Sequence, residues 1–155
     1  SARETGANFE GSLDYFTSAP KGITLVTFGD VVPCDGSKEF GILSGDDLVA
    51  RLATEVPDVS RLVFAIGGVD GVLSAPPSKA GPDDLIEILS PGDVFEGKHE
   101  SAIDVTGGIG LKVTRGFHVA SHGIDVIMVN GGVPERVLAA CKGEPVRGTT
   151  LIHNQ

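Results

Sequence analysis

Three short runs in this chain are apolar with no regular polar alternation: Ile23–Phe28, Leu62–Ile66 and Ile124–Val129. A strand with one wet face alternates apolar and polar residues, whereas a strand covered on both faces reads as a nearly continuous apolar run. Each run ends in glycine or Asn-Gly: Gly29-Asp30, Gly67-Gly68 and Asn130-Gly131-Gly132. Helix-type segments separate the runs. This pattern predicts an α/β layer fold with a mostly parallel sheet. In such sheets ligands sit beyond the carboxyl ends of the strands, where these glycines fall. Glycine is 22 of 155 residues, about twice its usual share of ~7%.

Punctuation places the helices. Ser44-Gly45-Asp46-Asp47 offers a polar cap ahead of Leu48, Val49, Leu52 and Ala53, and Pro57 stops that helix. A second helix is expected from the glycines near 108 to about His122, with Val113, Phe117 and Ala120 on one face and Gly123 as its stop. Pro134 opens a third, through about Cys141. Phe9, Leu13 and Phe16 fit one short amphipathic helix. Phe40–Leu43 and Gly148–Ile152 read as short strands, and Pro33–Lys38 as a turn. Residues 74–84 read as an exposed loop, Leu85–Leu89 as a short apolar element, and 90–103 as a polar connection. No repeat or long linker divides the chain, so residues 1–155 are expected to form one domain, with 1–21 a weakly defined opening segment.

Charge and cysteine content narrow the function. The formal net charge is −9 and the isoelectric point is near 4.7, which argues against nucleic-acid binding and against attraction to anionic lipid. No apolar run approaches the ~18 residues of a membrane span, and no secretory signal is visible. Cys34 and Cys141 are too few for a disulfide scaffold and fit a reducing, cytoplasmic setting as inert thiols.

The stretch Asp104–Lys112, DVTGGIGLK, carries the most chemistry. Thr106, Gly107 and Gly108 precede a helix whose first N–H groups have no internal partner, which favours an anion there. Lys112, four residues after Gly108, is placed to reach back as a point charge. The blander reading is a packing loop with a solvated lysine. Ser44-Gly45-Asp46-Asp47 reads first as a helix cap; its functional reading has Asp46 holding a cation, either a lysine ammonium or Mg²⁺. Val69-Asp70-Gly71-Val72 reads as a turn or as part of a nucleotide pocket. His118 and His122 are an i, i+4 pair without a third metal ligand nearby, and read as surface histidines.

Taken together, Gly29-Asp30-Val31-Val32, Ile42–Val49, Val69–Val72, Asp104–Gly108 with Lys112, Val129-Asn130-Gly131, Pro134-Glu135-Arg136 and Gly143 with Gly148-Thr149 resemble the amino acid kinase superfamily. Within it they resemble the isopentenyl phosphate kinases, in order and approximate spacing, from Ile23 onward. The resemblance implies a three-layer αβα sandwich with a mostly parallel central sheet, and ATP- and Mg²⁺-dependent phosphorylation of isopentenyl phosphate to the diphosphate, usually by a homodimer. It implies that Gly108 and Lys112 contact ATP phosphates, that Gly45 with Ser44 meets the substrate phosphate, and that Asp46 orients the catalytic lysines. Where the family carries an ATP-contacting Asp this chain has Gly68, and where it carries a Tyr this chain has Leu73. The resemblance covers roughly the second half of such a kinase, lacking the opening lysine strand and the substrate-gripping histidine. The expectation is therefore a nucleotide-binding lobe that does not turn over alone. Two alternatives are another kinase of the superfamily, acting as acetylglutamate, glutamate or uridylate kinases do, and a non-catalytic module keeping the fold.

Overall fold

The computed structural model describes residues 3–4, 9–34, 40–97 and 108–153. Two sheets organise them. The larger has four strands and the smaller three. At one side of the larger, β4 (Arg61–Ile66) pairs in parallel with β6 (Asp125–Asn130), in register from Arg61–Asp125 to Ile66–Asn130. The strand β7 (Thr149–Leu151) runs antiparallel to β6, and β5 (Ile88–Leu89) runs parallel to β7. The smaller sheet places β3 (Phe40–Leu43) between β1 (Arg3–Glu4) and β2 (Asp30–Pro33), parallel to the first and antiparallel to the second.

Period-two geometry sorts the larger sheet into two faces. Leu62, Phe64 and Ile66 are buried with Val126 and Met128 in the main core, each apolar side chain contributing roughly 1.5–3 kcal/mol. Two helices cover this face, α2 (Gly45–Glu55) and α3 (Ile109–Ala120). The approach of α3 is close: a Cβ on Gly116 would lie 2.6 Å from Leu151 Cδ2 and 3.3 Å from Val126 Cγ1. The alternate residues of β4 face α4 (Pro134–Lys142); Gly143, in the left-handed conformation that ends α4, lies against the Arg61 guanidinium. The result is the helix–sheet–helix layering that the apolar runs imply.

Several boundaries hold. Ser44 is the N-cap of α2, its Oγ accepting from the Asp46 N–H at 3.2 Å, and Val56 is extended ahead of Pro57. Pro134 opens α4, and Gly123 adopts φ +77° just beyond α3. The last strand falls within Gly148–Ile152.

Other expectations do not hold. Ile23–Phe28 is not a buried strand: it has no ladder partner among the described residues, and Val26 (88%) and Phe28 (78%) are exposed. A strand needs a neighbour as well as an apolar composition, and this run instead lines a cavity of about 700 Å³ together with residues of β4 and α2. Gly29-Asp30 does not simply end a strand either, because Asp30–Pro33 forms a ladder with β3; within the expected turn Pro33–Lys38, Pro33 is in this strand and residues 35–39 lie outside the described ones. The opening helix is a single turn, α1 (Asp14–Thr17). Phe9 lies outside it, beneath the Arg51 guanidinium, 4.9 Å from its ring centre. Residues 74–84 are largely an exposed loop, with one 3₁₀ turn at Pro82–Asp84. No helix among the described residues is long and apolar enough to cross a membrane.

Candidate functional site

Two ion pairs join α2 to α3. The first turn of α2 presents Asp46 and Asp47 side by side, while Lys112 and Arg115 lie three residues apart on one face of α3. Lys112 Nζ donates to Asp46 Oδ2 at 3.1 Å, and Arg115 Nε to Asp47 Oδ1 at 2.5 Å. Burial pushes the Asp46 carboxyl above its ordinary range; the Lys112 ammonium opposes the shift and neighbouring Asp47 adds to it. Asp47 is more enclosed still, its side chain 0% exposed, and its Oδ2 has no hydrogen-bond partner among the described residues. Lys112 keeps a quarter of its side chain exposed. Ser44, Gly45, Asp46 and Lys112 share the wall of the 700 Å³ cavity with Gly29. A desolvated carboxylate holding an ammonium at the wall of a large cavity can aim that ammonium at an anion.

The sequence-predicted residues separate into three sets. Ser44, Gly45, Asp46 and Lys112 come together. Gly108 is the N-cap of α3, with no side-chain cap bond; Thr106 and Gly107, with Asp104 and Val105, lie outside the described residues. Gly68 and Leu73 are elsewhere. Gly68 takes φ +75° in the exposed turn after β4, and Leu73 bridges to Leu85, neither on the cavity wall. His118 and His122 are exposed, with ring centres 4.9 Å apart. Among the described residues no three potential metal-ligating side chains converge. Cys34 and Cys141 are free thiols, both partly buried.

A second charged cluster sits at the carboxyl ends of β4 and β6. Asp70 accepts from Arg136, from Arg147 at 2.7 Å and from Asn130 at 3.2 Å. The hydrogen bonds from Arg147 and Asn130 lead in holding its carboxyl down to about 2. Arg147 also donates to the Pro82 carbonyl at 3.0 Å, so the cluster ties the turn after β4 to α4, the 3₁₀ turn and the approach to β7. Sequence reading placed Asp70 and Arg136 in separate motifs without pairing them and did not single out Arg147, because these partners are 66 and 77 residues from Asp70. The Lys112–Arg115 spacing opposite two adjacent aspartates was the signal available for the missed Asp47–Arg115 pair.

Known proteins resemble this chain over most of its length. The amino acid kinase family model matches residues 13–130. Isopentenyl phosphate kinase of Methanothermobacter thermautotrophicus is 30% identical over 133 residues, 84% of this chain and 49% of that protein. The enzyme of the same name from Methanocaldococcus jannaschii is 30% identical over 150 residues, 92% of this chain and 53% of that protein. The chain thus spans about half the length of these relatives. Two solved isopentenyl phosphate kinase structures, one a substrate complex, superpose with a TM-score of 0.54 each. They share 28% and 30% identity and cover 79% and 80% of this chain, and 43% and 46% of their own. With the order of its elements and a family match spanning 13–130, this chain belongs to the amino acid kinase family.

Proposed function

We propose that this chain is the nucleotide-binding half of an ATP-dependent kinase that converts isopentenyl phosphate to its diphosphate. The observation that carries the reading is the Lys112–Asp46 pair on the wall of a cavity shared with Ser44 and Gly45. Phosphoryl transfer needs positioning and charge neutralisation more than covalent chemistry by the protein. In this reading Lys112 neutralises ATP phosphate oxygens, assisted by the backbone N–H groups of Thr106, Gly107 and Gly108. Asp46 holds the ammonium in place from behind. Gly45, with Ser44, offers backbone to the substrate phosphate. Gly68 and Leu73 flank the nucleotide in place of a carboxylate and a tyrosine.

ATP supplies the transferable phosphoryl group, and Mg²⁺ supplies further charge neutralisation when bound. Mg²⁺ in such sites rides on the nucleotide's phosphates with one or two carboxylates. Asp46 fits that requirement, because its Oδ2 is taken by Lys112 while Oδ1 has no partner among the described residues. Turnover by this chain alone is not expected, since it spans about half of its relatives. Residence in a cytoplasm, and assembly as a homodimer or with a polypeptide carrying the other half, belong to the same reading. A second reading, a module that keeps the fold without ATP chemistry, is favoured by Gly68 and Leu73.

Calorimetric titration with MgATP tests the proposal. Binding by the wild-type chain that weakens about tenfold in Lys112→Ala, or ~1.4 kcal/mol, supports it. Equal affinity in the variant removes Lys112 from the phosphate site, and no binding by the wild type favours the non-catalytic module. Robust turnover of isopentenyl phosphate by this chain alone would overturn the half-enzyme part.

A further inference from the structure

We infer that Asp47 and Arg115 are positioning residues for Lys112, acting through the orientation of α3. The inference deepens the proposed function, because it matters catalytically only if Lys112 meets phosphate. Lys112 lies at the start of α3, and that start is weakly fastened: its N-cap is Gly108, which offers no side-chain cap bond, and the Lys112 N–H reaches the Gly108 carbonyl only at 3.4 Å. By contrast α2 is capped by Ser44. A single ion pair between two helices leaves one free to rotate about the contact. A second pair, three residues further along α3 and on the adjacent carboxylate of α2, removes that freedom. The Arg115–Asp47 pair is in that place. The close seat of Gly116 against Leu151 and Val126, one residue beyond Arg115, holds the same stretch of α3 to the sheet.

The burial of Asp47 indicates that this pair is kept for geometry. A carboxylate with no exposed surface and one oxygen without a partner among the described residues is unfavourable, and replacing such a buried pair by apolar residues of similar volume is often neutral or stabilising. The contact is also single-pointed, through Arg115 Nε to one oxygen. A lysine at 115 therefore preserves it, whereas an apolar pair abolishes it.

Limited acetylation with acetic anhydride at fixed pH, followed by peptide mass spectrometry, measures how tightly Lys112 is held. Lys21, 86% exposed, is the internal reference and Asp46→Asn the positive control. Lys112 is expected to react more slowly than Lys21 in the wild type. In Asp47→Leu/Arg115→Met its rate is expected to rise toward that of Lys21 while the melting temperature holds. Arg115→Lys is expected to keep most of the wild-type protection. Should the double variant fail to fold, Asp47→Asn against Arg115→Lys carries the same comparison. A Lys112 rate unchanged in the pair variants, while Asp46→Asn raises it, overturns the inference. MgATP titration of the same proteins separates the two readings. Labelling that follows Arg115 in a chain that binds no MgATP leaves the positioning pair standing and removes the kinase role. MgATP binding that needs Lys112 but labelling indifferent to Arg115 does the reverse.

Discussion

Gly29 and Gly45 meet backbone to backbone at the wall of the cavity that holds Lys112. A Cβ on Gly45 would lie 2.9 Å from Gly29 N and 3.1 Å from Phe28 C, and one on Gly29 would lie 2.6 Å from the Leu43 carbonyl oxygen. Neither neighbour can yield by turning a side chain, because both are main chain. Gly45→Ala is therefore expected to push α2 away from the segment entering β2. The expected loss is ~1–3 kcal/mol, as for other overpacked sites. Urea denaturation checks it, and an unchanged midpoint would show that the two segments do not touch.

Removing one member of the Lys112–Asp46 pair should destabilise the fold more than neutralising the other. Lys112→Met leaves the Asp46 carboxylate buried without its cation, the situation that costs about 3–5 kcal/mol in enclosed pairs; the quarter-exposed lysine places this one at the low end. Asp46→Asn removes the buried charge itself, so its loss should be smaller. Paired thermal melts at neutral pH check the order, and the reverse ranking would mean that the carboxylate is hydrated.

The two principal aspartates should respond to acid with opposite sign. Asp70 has a native pKa of about 2 against an ordinary 3.8, so its contribution is complete above about pH 4 and is lost as pH falls toward 2. Solvent reaching the cluster limits that contribution to about 1 kcal/mol. Asp46 is raised above 3.8, so the native state takes up its proton first. Its unfavourable term is relieved as pH falls through the native pKa toward 3.8. Asp70→Asn should therefore lose less stability than wild type between pH 4 and 2, and Asp46→Asn should lack the relief just above 3.8. Melting temperature against pH for the three proteins reads both effects.

Val26 and Phe28 leave two large apolar side chains exposed beside the cavity, and adjoining exposed apolar groups favour association. The chain on its own is expected to bind an apolar dye and to self-associate with concentration. Val26→Lys/Phe28→Ser should reduce both without lowering the melting temperature. Light scattering checks the association; a wild type that stays monomeric at high concentration would show that the surface is covered.

The division between what residues announce locally and what they acquire from distant partners is plain in this chain. Leu62–Ile66, Ile124–Val129, the Ser44 cap, Pro134 and Gly123 were legible because their signals are carried within a few residues: continuous apolar character, a side chain capping the next turn, a ring that fixes φ, a glycine free to go left-handed. The adjacency of Ser44-Gly45-Asp46 and the reach of Lys112 were likewise visible as candidate chemistry. The tertiary structure alone decided that Ile23–Phe28, though as apolar as the other runs, lies outside any ladder among the described residues, because pairing depends on a neighbour that composition does not supply. It alone brought Arg115 to Asp47, and Arg136 and Arg147 to Asp70, across 66 to 77 residues. Ion pairs between distant residues leave at most a hint of spacing in the sequence, since many arginines can serve a given aspartate until the packing of the elements decides which two are brought within hydrogen-bonding distance.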